Sequence, residues 1–350
     1  MDSLLDILLL LSPSIIYFSA RKPIKTNYKL RKDFKLKGVK TAVLPNEVLR
    51  KVSDIDEAKI LEQQFGSSII EFINIIKQNI PDSDLTLFYN NLNNIKTSVK
   101  DFKISNLILG EHTGAQWLPL ENIIELSASN YKSTINHELL HVATTYIDQK
   151  TKTVLSGFQQ IKNENNQIGE GLNEGYTQYL TEKYFSHTDI LKAYPYEKRI
   201  AETVELIVGQ EKMQSLYFNA NLNGLIETLK QYNTEENVYD FITTLDFLSK
   251  HSTDKKLTSS SEQIIINCLK SINSFLIKTY IKKTILEHPD KDIEIKEVLE
   301  KLIPLLTKIP SSIKINGKSI NLTDQDLMME IIDDALSSFE KSEDRKTISK

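Results

Sequence analysis

The chain has 350 residues, of which 40% are hydrophobic and 26% are charged, a composition typical of soluble globular proteins. Lys and Arg total 43 and Asp and Glu total 47, so the formal net charge is -4. This balance gives no basic footprint for nucleic acid, and we expect no nucleic-acid partner. The chain contains only 11 glycines and 9 prolines, which favours helices over a turn-rich β architecture.

The first apolar stretch runs from Leu4 to Phe18 and has about the length of a signal-peptide core. Asp2 precedes the stretch and the basic residues follow it, which is the wrong charge order for a signal peptide. The stretch is also too short for a comfortable membrane span. We therefore predict a buried N-terminal helix and a cytoplasmic protein, with secretion or membrane association as the alternative.

Cys268 is the one cysteine in the chain, so no intrachain disulfide can form. It lies in an apolar run from Ile264 to Leu269, where a cysteine is typically a small buried hydrophobe rather than a nucleophile. A chain so poor in cysteine fits a reducing compartment.

Apolar periodicity and turn residues predict the secondary-structure elements in chain order. Helices are expected at 56–78, 85–102, 131–146, from about 172, from 196 onward and at 264–285. Strands are expected at 115–118 and 122–126, and an Asn-Gly hairpin is expected at 313–320. Four glycines fall within 157–175 and indicate a loop that leads into the helix expected from about 172, and polar 251–261 is the best linker candidate. The pattern predicts an α+β fold that is predominantly helical.

The strongest chemical signal is the motif His137-Glu138-Leu139-Leu140-His141. Residues four apart lie on one face of a helix, so both imidazoles can reach one metal ion at about 2.0–2.1 Å. Glu138 is about 100° further round the helix, where it can hold a water molecule without becoming a ligand. The motif therefore predicts a metal site in which Glu138 is the general base.

A catalytic zinc site usually has three protein ligands, so the two histidines need a partner. Thr144 and Ile147 occupy the positions where one subclass has glycine and a third histidine, which excludes that subclass. Glu174, 33 residues after His141, is the favoured third ligand because it falls within a predicted helix. Glu170, between Gly169 and Gly171, is the competing candidate, and we expect it to lie in the loop.

The motif at 137–141, followed by Leu-Asn-Glu-Gly at 172–175, resembles the gluzincin zinc metallopeptidases, and is most similar to their zinc aminopeptidase and thermolysin-like members. The similarity covers about 114–180. It implies a zincin-like core in which His137, His141 and Glu174 bind Zn²⁺. On this basis we expect an N-terminal segment at 1–55, a catalytic domain at 56–250 and a helical C-terminal region at 262–340.

The resemblance also implies a substrate-binding strand. Gly114 and Ala115 stand where the aminopeptidases have a Gly-Ala strand lining the cleft, so we expect Gly114, Ala115 and Trp117 to contact substrate. Trp117 and Leu118 follow in place of the usual acidic residue that captures a substrate amine. An endopeptidase is therefore as compatible with the sequence as an aminopeptidase, and core packing is an equal alternative for Trp117.

Enzymes of this group commonly use a Tyr or His to stabilise the oxyanion, and Tyr194, just before Pro195, is our first choice. Thr177 and Gln178 are candidate hydrogen-bond partners of the ligating imidazoles, with a polar helix face as the alternative. The four other histidines are expected to be structural or solvated: His112, His187, His251 and His288.

These features predict a zinc-dependent hydrolase that cleaves peptide bonds in a peptide or protein substrate. Metal-activated water would attack the carbonyl, with Glu138 accepting the proton and passing it to the leaving nitrogen. Two alternatives stay open: a zinc hydrolase of a non-peptide amide or ester, and a non-catalytic binding protein that retains zinc. An intact Glu138 argues against the binding protein, because a structural site needs no base.

Overall fold

The protein is described from a computed structural model. The structure describes 67–92, 96–100, 115–120, 123–127, 131–148, 150–163, 166–186, 188, 193–252, 259–288, 302, 304–305, 313–315 and 318–320. Several predictions lie outside these residues: the N-terminal segment 1–55 with its apolar stretch, Gly114, His112 and His187. The described residues form an α+β fold in which helices predominate, as the sequence predicts.

Helices and strands are mixed in the described chain up to residue 168, and helices follow one another from 170 to 287. The helices are α1 (Ser67–Asn79), α2 (Thr86–Leu92), α3 (Tyr131–Ala143), α4 (Glu170–Tyr184), α5 (Pro195–Val208), α6 (Gln210–Phe218), α7 (Leu222–Leu229), α8 (Glu235–Ser252) and α9 (Ser259–Glu287). The strands are β1 (Lys96–Lys100), β2 (Ala115–Leu118), β3 (Ile123–Ser127), β4 (Thr145–Ile147), β5 (Val154–Ser156), β6 (Gln159–Asn163), β7 (Asn166–Ile168), β8 (Ile313–Ile315) and β9 (Lys318–Ile320).

A three-stranded sheet of order β1-β3-β2 precedes the metal-motif helix. Strand β1 runs parallel to β3, and β2 runs antiparallel to it. The predicted strands β2 and β3 are confirmed, but the predicted helix at 85–102 is wrong beyond Leu92, since 96–100 is a strand. Thr97 and Val99 alternate with polar neighbours, and backbone pairing with β3 outweighs the helical spacing there.

Helix α3 carries the motif and is anchored in the core through Leu139, Leu140 and Val142, all fully buried. It ends at Ala143, three residues before the predicted end, and β4 follows. The C-terminal carbonyls of a helix need partners. They find them because the Thr145 hydroxyl donates to the His141 carbonyl at 2.6 Å and the Asn91 amide to the Val142 carbonyl at 2.9 Å.

A four-stranded antiparallel meander, β4-β5-β6-β7, links α3 to α4. The prediction of a plain loop between 157 and about 172 is therefore wrong, whereas the helix predicted to follow it is confirmed. Its strands are three to five residues long and rich in polar side chains, so they show no apolar alternation. Gly157 makes the turn between β5 and β6 with φ +51°, in the left-handed region that glycine tolerates best.

Helix α4 begins at Glu170, so the expectation that Glu170 lies in a loop is wrong. Gly169 precedes it with φ +86°, which lets β7 turn directly into the helix. Inside the helix, Gly175 faces α5 at very short range: a Cβ there would lie 2.2 Å from the Glu197 carbonyl oxygen. The glycine therefore permits close packing of α4 on α5.

Helices α5 to α9 complete the core, and one hydrophobic cluster joins residues from Ile69 in α1 to Leu302. Cys268 is buried within this cluster, as predicted, and burial raises its pKa to about 12. The strands of the predicted hairpin at 313–320 do pair, as β8 and β9. The His251 ring packs against Phe247 at a centroid distance of 4.0 Å. No described helix has both the length and the apolarity required to cross a membrane.

Candidate metal centre

Three side chains from α3 and α4 bring their donor atoms together. Nε2 of His137 lies 3.1 Å from Nε2 of His141 and 3.2 Å from Oε2 of Glu174. Nε2 of His141 lies 3.4 Å from Oε1 of Glu174. The two imidazoles are buried and Glu174 is half-buried, so the three donors meet in a largely enclosed position.

The spacing of these donors fits a single metal ion. Ligand bonds of about 2.0–2.1 Å in a tetrahedral arrangement place neighbouring donors about 3.3–3.4 Å apart. The observed separations of 3.1, 3.2 and 3.4 Å are close to that value. Within the parts of the chain that the structure describes, this is the one group of three such residues that could hold a metal ion.

The two candidate third ligands are separated by the structure. Glu174 reaches the imidazoles, whereas Oε2 of Glu170, one turn earlier, accepts a hydrogen bond from the Gln167 side chain at 3.1 Å. Burial, with repulsion from Asp246 and Glu174, raises the pKa of Glu170 to about 7. The geometry therefore groups Glu174, rather than Glu170, with the histidines.

Glu174 is held as a carboxylate. Burial acts to raise its pKa, but attraction to His141 and His137 and hydrogen bonds from them outweigh burial and keep the pKa well below its usual range. A metal ligand must be deprotonated, and Glu174 already is near neutral pH.

Glu138 lies beside the donors, outside the group of three. It is 7% exposed, and its carboxylate accepts a hydrogen bond from the backbone N–H of Trp117 in β2. Burial raises the pKa of Glu138 to about 7, opposed by His137 and by the Trp117 hydrogen bond and reinforced by Glu174. A buried carboxyl with a pKa near neutrality suits proton transfer.

Tyr194 faces the donors from the start of α5. Its ring stacks on that of His137, with centroids 5.9 Å apart and planes inclined by 19°. Its backbone has φ 50° and ψ 51°, a left-handed conformation that is uncommon for a residue other than glycine. Repulsion from Glu174, burial and repulsion from Glu138 raise the pKa of Tyr194 well above its ordinary value, so the hydroxyl keeps its proton.

Asn173 is a polar neighbour of the two imidazoles that the sequence did not predict. Its side-chain amide lies 3.3 Å from Nδ1 of His141, and its Oδ1 accepts from the Phe158 backbone N–H at 3.1 Å. The two residues predicted for such a role have other partners. Thr177 bonds to the Asn173 carbonyl and the Tyr217 hydroxyl, and Gln178 donates to Glu182. In the sequence, Asn173 stands directly before the candidate ligand Glu174, and this position could have indicated its role.

Strand β2 packs along α3 and contributes two of the three predicted substrate contacts. Ala115 and Trp117 are half-buried, and the third, Gly114, lies outside the described residues. The Trp117 indole donates to the Thr145 hydroxyl at 3.1 Å, and this hydroxyl donates to the carbonyl of His141. Trp117 thus links β2 to Glu138 through its backbone and, by way of Thr145, to the His141 carbonyl through its side chain.

Comparisons with known proteins supply no relative for this chain. No protein-family model, curated protein or solved structure matches it. The residues of the candidate metal centre are therefore the basis for assigning a function.

Proposed function

We propose that this protein is a zinc-dependent hydrolase that cleaves peptide bonds, with Glu138 as general base. One observation carries the proposal: a buried carboxyl that is not a metal ligand stands beside three preassembled donors. A structural metal site needs no such group. Catalytic zinc sites typically combine three protein ligands with a water molecule, and His₂Glu is one of their ligand sets.

His137, His141 and Glu174 would hold the zinc ion. When bound, zinc would lower the pKa of a water molecule and polarise the substrate carbonyl. The short separations of the three donor atoms, the burial of the imidazoles and the ionised state of Glu174 all support this assignment. Zinc also accepts nitrogen and oxygen donors of these types.

Glu138 would accept the proton of the attacking water and donate it to the leaving nitrogen. The Trp117 N–H orients the carboxylate, and burial brings its pKa to about 7, where both steps are accessible near neutral pH. A cation held nearby would lower this pKa from that value, which favours the base form at the start of the reaction.

Tyr194 would donate a hydrogen bond from its hydroxyl to the oxyanion that develops on the carbonyl oxygen. Stacking on His137 fixes the ring, and the raised pKa keeps the donor hydrogen in place. Its left-handed backbone supports the role, because strained conformations cluster at functional sites.

Strand β2 would bind the substrate backbone. Of the described strands, β3 alone pairs with β2, and an extended peptide would pair with the other edge of β2. Such a peptide would lie near Glu138, because the backbone of Trp117 contacts that carboxylate. A sheet with its edge strand beside the metal helix supports a zincin-like core, and peptide as the substrate class.

The test combines metal analysis with activity. Purified protein should contain about one zinc per chain, and Glu174→Gln should lose most of it, whereas the matched control Glu170→Gln, one turn away, should keep it. Glu138→Gln should retain zinc, because Glu138 is not a ligand. Its hydrolysis of a mixed peptide library should fall by about 10²–10⁴-fold, the usual effect of removing a general base.

Contrary results are equally specific. Loss of zinc in Glu138→Gln would make Glu138 a ligand or a brace. If the wild type binds zinc but hydrolyses only esters or non-peptide amides, the peptide substrate is wrong. If it hydrolyses nothing yet binds a peptide, the protein is a binding protein.

A further inference from the structure

The helix that presents Glu174 cannot cap its own N-terminus. The first N–H groups of a helix lack partners within the helix, and a side chain at the N-cap position usually supplies one. Here the N-cap is Gly169, which has no side chain to offer. The helix therefore needs a partner from elsewhere in the fold.

Asp246 in α8 is that partner. Its Oδ2 accepts from the Gly169 N–H at 2.9 Å and its Oδ1 from the Gly171 N–H at 3.1 Å. The two contacts span 77 and 75 residues of sequence, so they join the metal-binding half of the chain to a later helix. Both oxygens of one carboxylate grip the first turn, which fixes its direction as well as its position.

A second contact from the same stretch of α8 reinforces the grip. A Cβ on Gly171 would lie 2.7 Å from the Leu245 carbonyl oxygen, so only glycine allows the two backbones to approach this closely. The first turn of α4 is thus held by hydrogen bonds from Asp246 and by direct contact with Leu245. The α8 backbone therefore prevents this turn from moving closer to α8.

Glu174 lies just one turn beyond this anchored turn. An α-helix rises about 1.5 Å per residue, so the three residues from Gly171 to Glu174 form a lever about 4.5 Å long. Metal bonds tolerate errors of only about 0.2 Å. A small displacement of the first turn would therefore carry the Glu174 carboxylate out of its 3.2 and 3.4 Å contacts with the imidazoles.

We propose that Asp246 is a positioning residue that sets the metal affinity of the site by anchoring the helix that carries Glu174. The inference rests on the metal site of the proposed function and not on hydrolysis. Asp246 acts through Glu174 and needs no contact with the metal or the substrate.

The experiment measures zinc affinity by competition with a chromophoric chelator, alongside thermal unfolding of the metal-free protein. Asp246→Ala removes both hydrogen bonds and should weaken zinc binding about 10–100-fold, the usual effect of losing a group that orients a ligand. Asp246→Asn keeps one acceptor oxygen and should fall between Asp246→Ala and the wild type. The absorption spectrum of the cobalt-loaded protein should change in the same order.

The control is a cap remote from the metal. Asn221 caps α7 by accepting from the Gly224 N–H at 2.8 Å, so Asn221→Ala removes a helix cap of the same kind. We expect this variant to lose thermal stability but to bind zinc with wild-type affinity. Hydrogen exchange should be faster at Gly169 and Gly171 in Asp246→Ala only.

The outcomes separate this inference from the proposed function. Asp246→Ala that loses stability but binds zinc as tightly as Asn221→Ala would overturn the inference, because its cap would then be merely structural. Wild-type protein that binds no zinc would overturn the proposed function and this inference together. Weakened zinc binding in Asp246→Ala, with no peptide hydrolysis by the wild type, would support the inference and overturn the hydrolase.

Discussion

Gly157 lies in close contact with Asn173, the neighbour of His141, and its replacement by alanine tests the packing there. A Cβ at this position would lie 2.2 Å from Oδ1 of Asn173 and 2.4 Å from Cε2 of Tyr217. Real Cβ atoms do not approach so closely, so Asn173 or Tyr217 must move. Because the Asn173 amide contacts Nδ1 of His141, we expect Gly157→Ala to disturb a proposed metal ligand that it does not touch.

The cost of this change has three parts. Left-handed backbone costs alanine about 1–2 kcal/mol relative to glycine. Overpacking in a dense core adds about 1–3 kcal/mol. A displaced Asn173 leaves the buried Phe158 N–H unpaired, which adds about 1 kcal/mol. The free energy of unfolding should therefore fall by about 3–6 kcal/mol, a large part of the roughly 5–15 kcal/mol available to a domain.

Urea unfolding and zinc competition together provide the assay, with Gly209→Ala as the matched control. Gly209 also has a positive φ, +93°, but no atom within 4 Å of a Cβ added there, so its variant carries backbone strain of about 1–3 kcal/mol alone. We expect Gly157→Ala to be the less stable variant and to bind zinc about 10–100-fold more weakly, with Gly209→Ala unchanged in affinity. Equal losses of stability would refute the clash, and unchanged zinc affinity would refute the role of Asn173.

Two further changes test the charges around the site. The pKa of Glu170 is raised to about 7 in the folded protein, so the free energy of unfolding falls as the pH rises from about 4.5 to 7. Glu170→Gln should therefore raise the free energy of unfolding of the metal-free protein at pH 8 by on the order of 2 kcal/mol, and by less at pH 5. An equal increase at both pH values would contradict this prediction. Tyr194→Phe keeps the ring on His137 but removes the hydroxyl, so kcat should fall about 10²–10³-fold at constant zinc content and similar KM, whereas an unchanged kcat would assign the oxyanion to another donor.

The parts of the site that could be predicted are those in which the signal is local. His137, Glu138 and His141 lie within one helical turn and a half, so helical spacing alone places them together. Glu174 needed a second motif, but the position of that motif within a predicted helix was enough to favour it over Glu170. The function of these residues could be predicted because the same short segment determines both the helix and the chemistry.

The parts that could not be predicted depend on partners distant in the sequence. Lys96–Lys100 becomes a strand because β3, at Ile123–Ser127, is there to pair with it. The Trp117 N–H reaches Glu138 only because β2 packs along α3. Asp246 caps α4 from 75 residues away, and the one sequence hint was a helix that begins after glycine with no capping side chain of its own.

The meander between α3 and α4 has a consequence for the order in which the protein folds. Each of its strands pairs with the next along the chain, and His137 and Glu174 are only 37 residues apart. Contacts of low sequence separation form early, because little chain entropy is lost in closing short loops. We therefore expect a growing chain to bring together its proposed metal-binding residues before α8 has been synthesised, and to bind zinc weakly at first. When α8 later docks through Asp246, the zinc affinity of the site would rise.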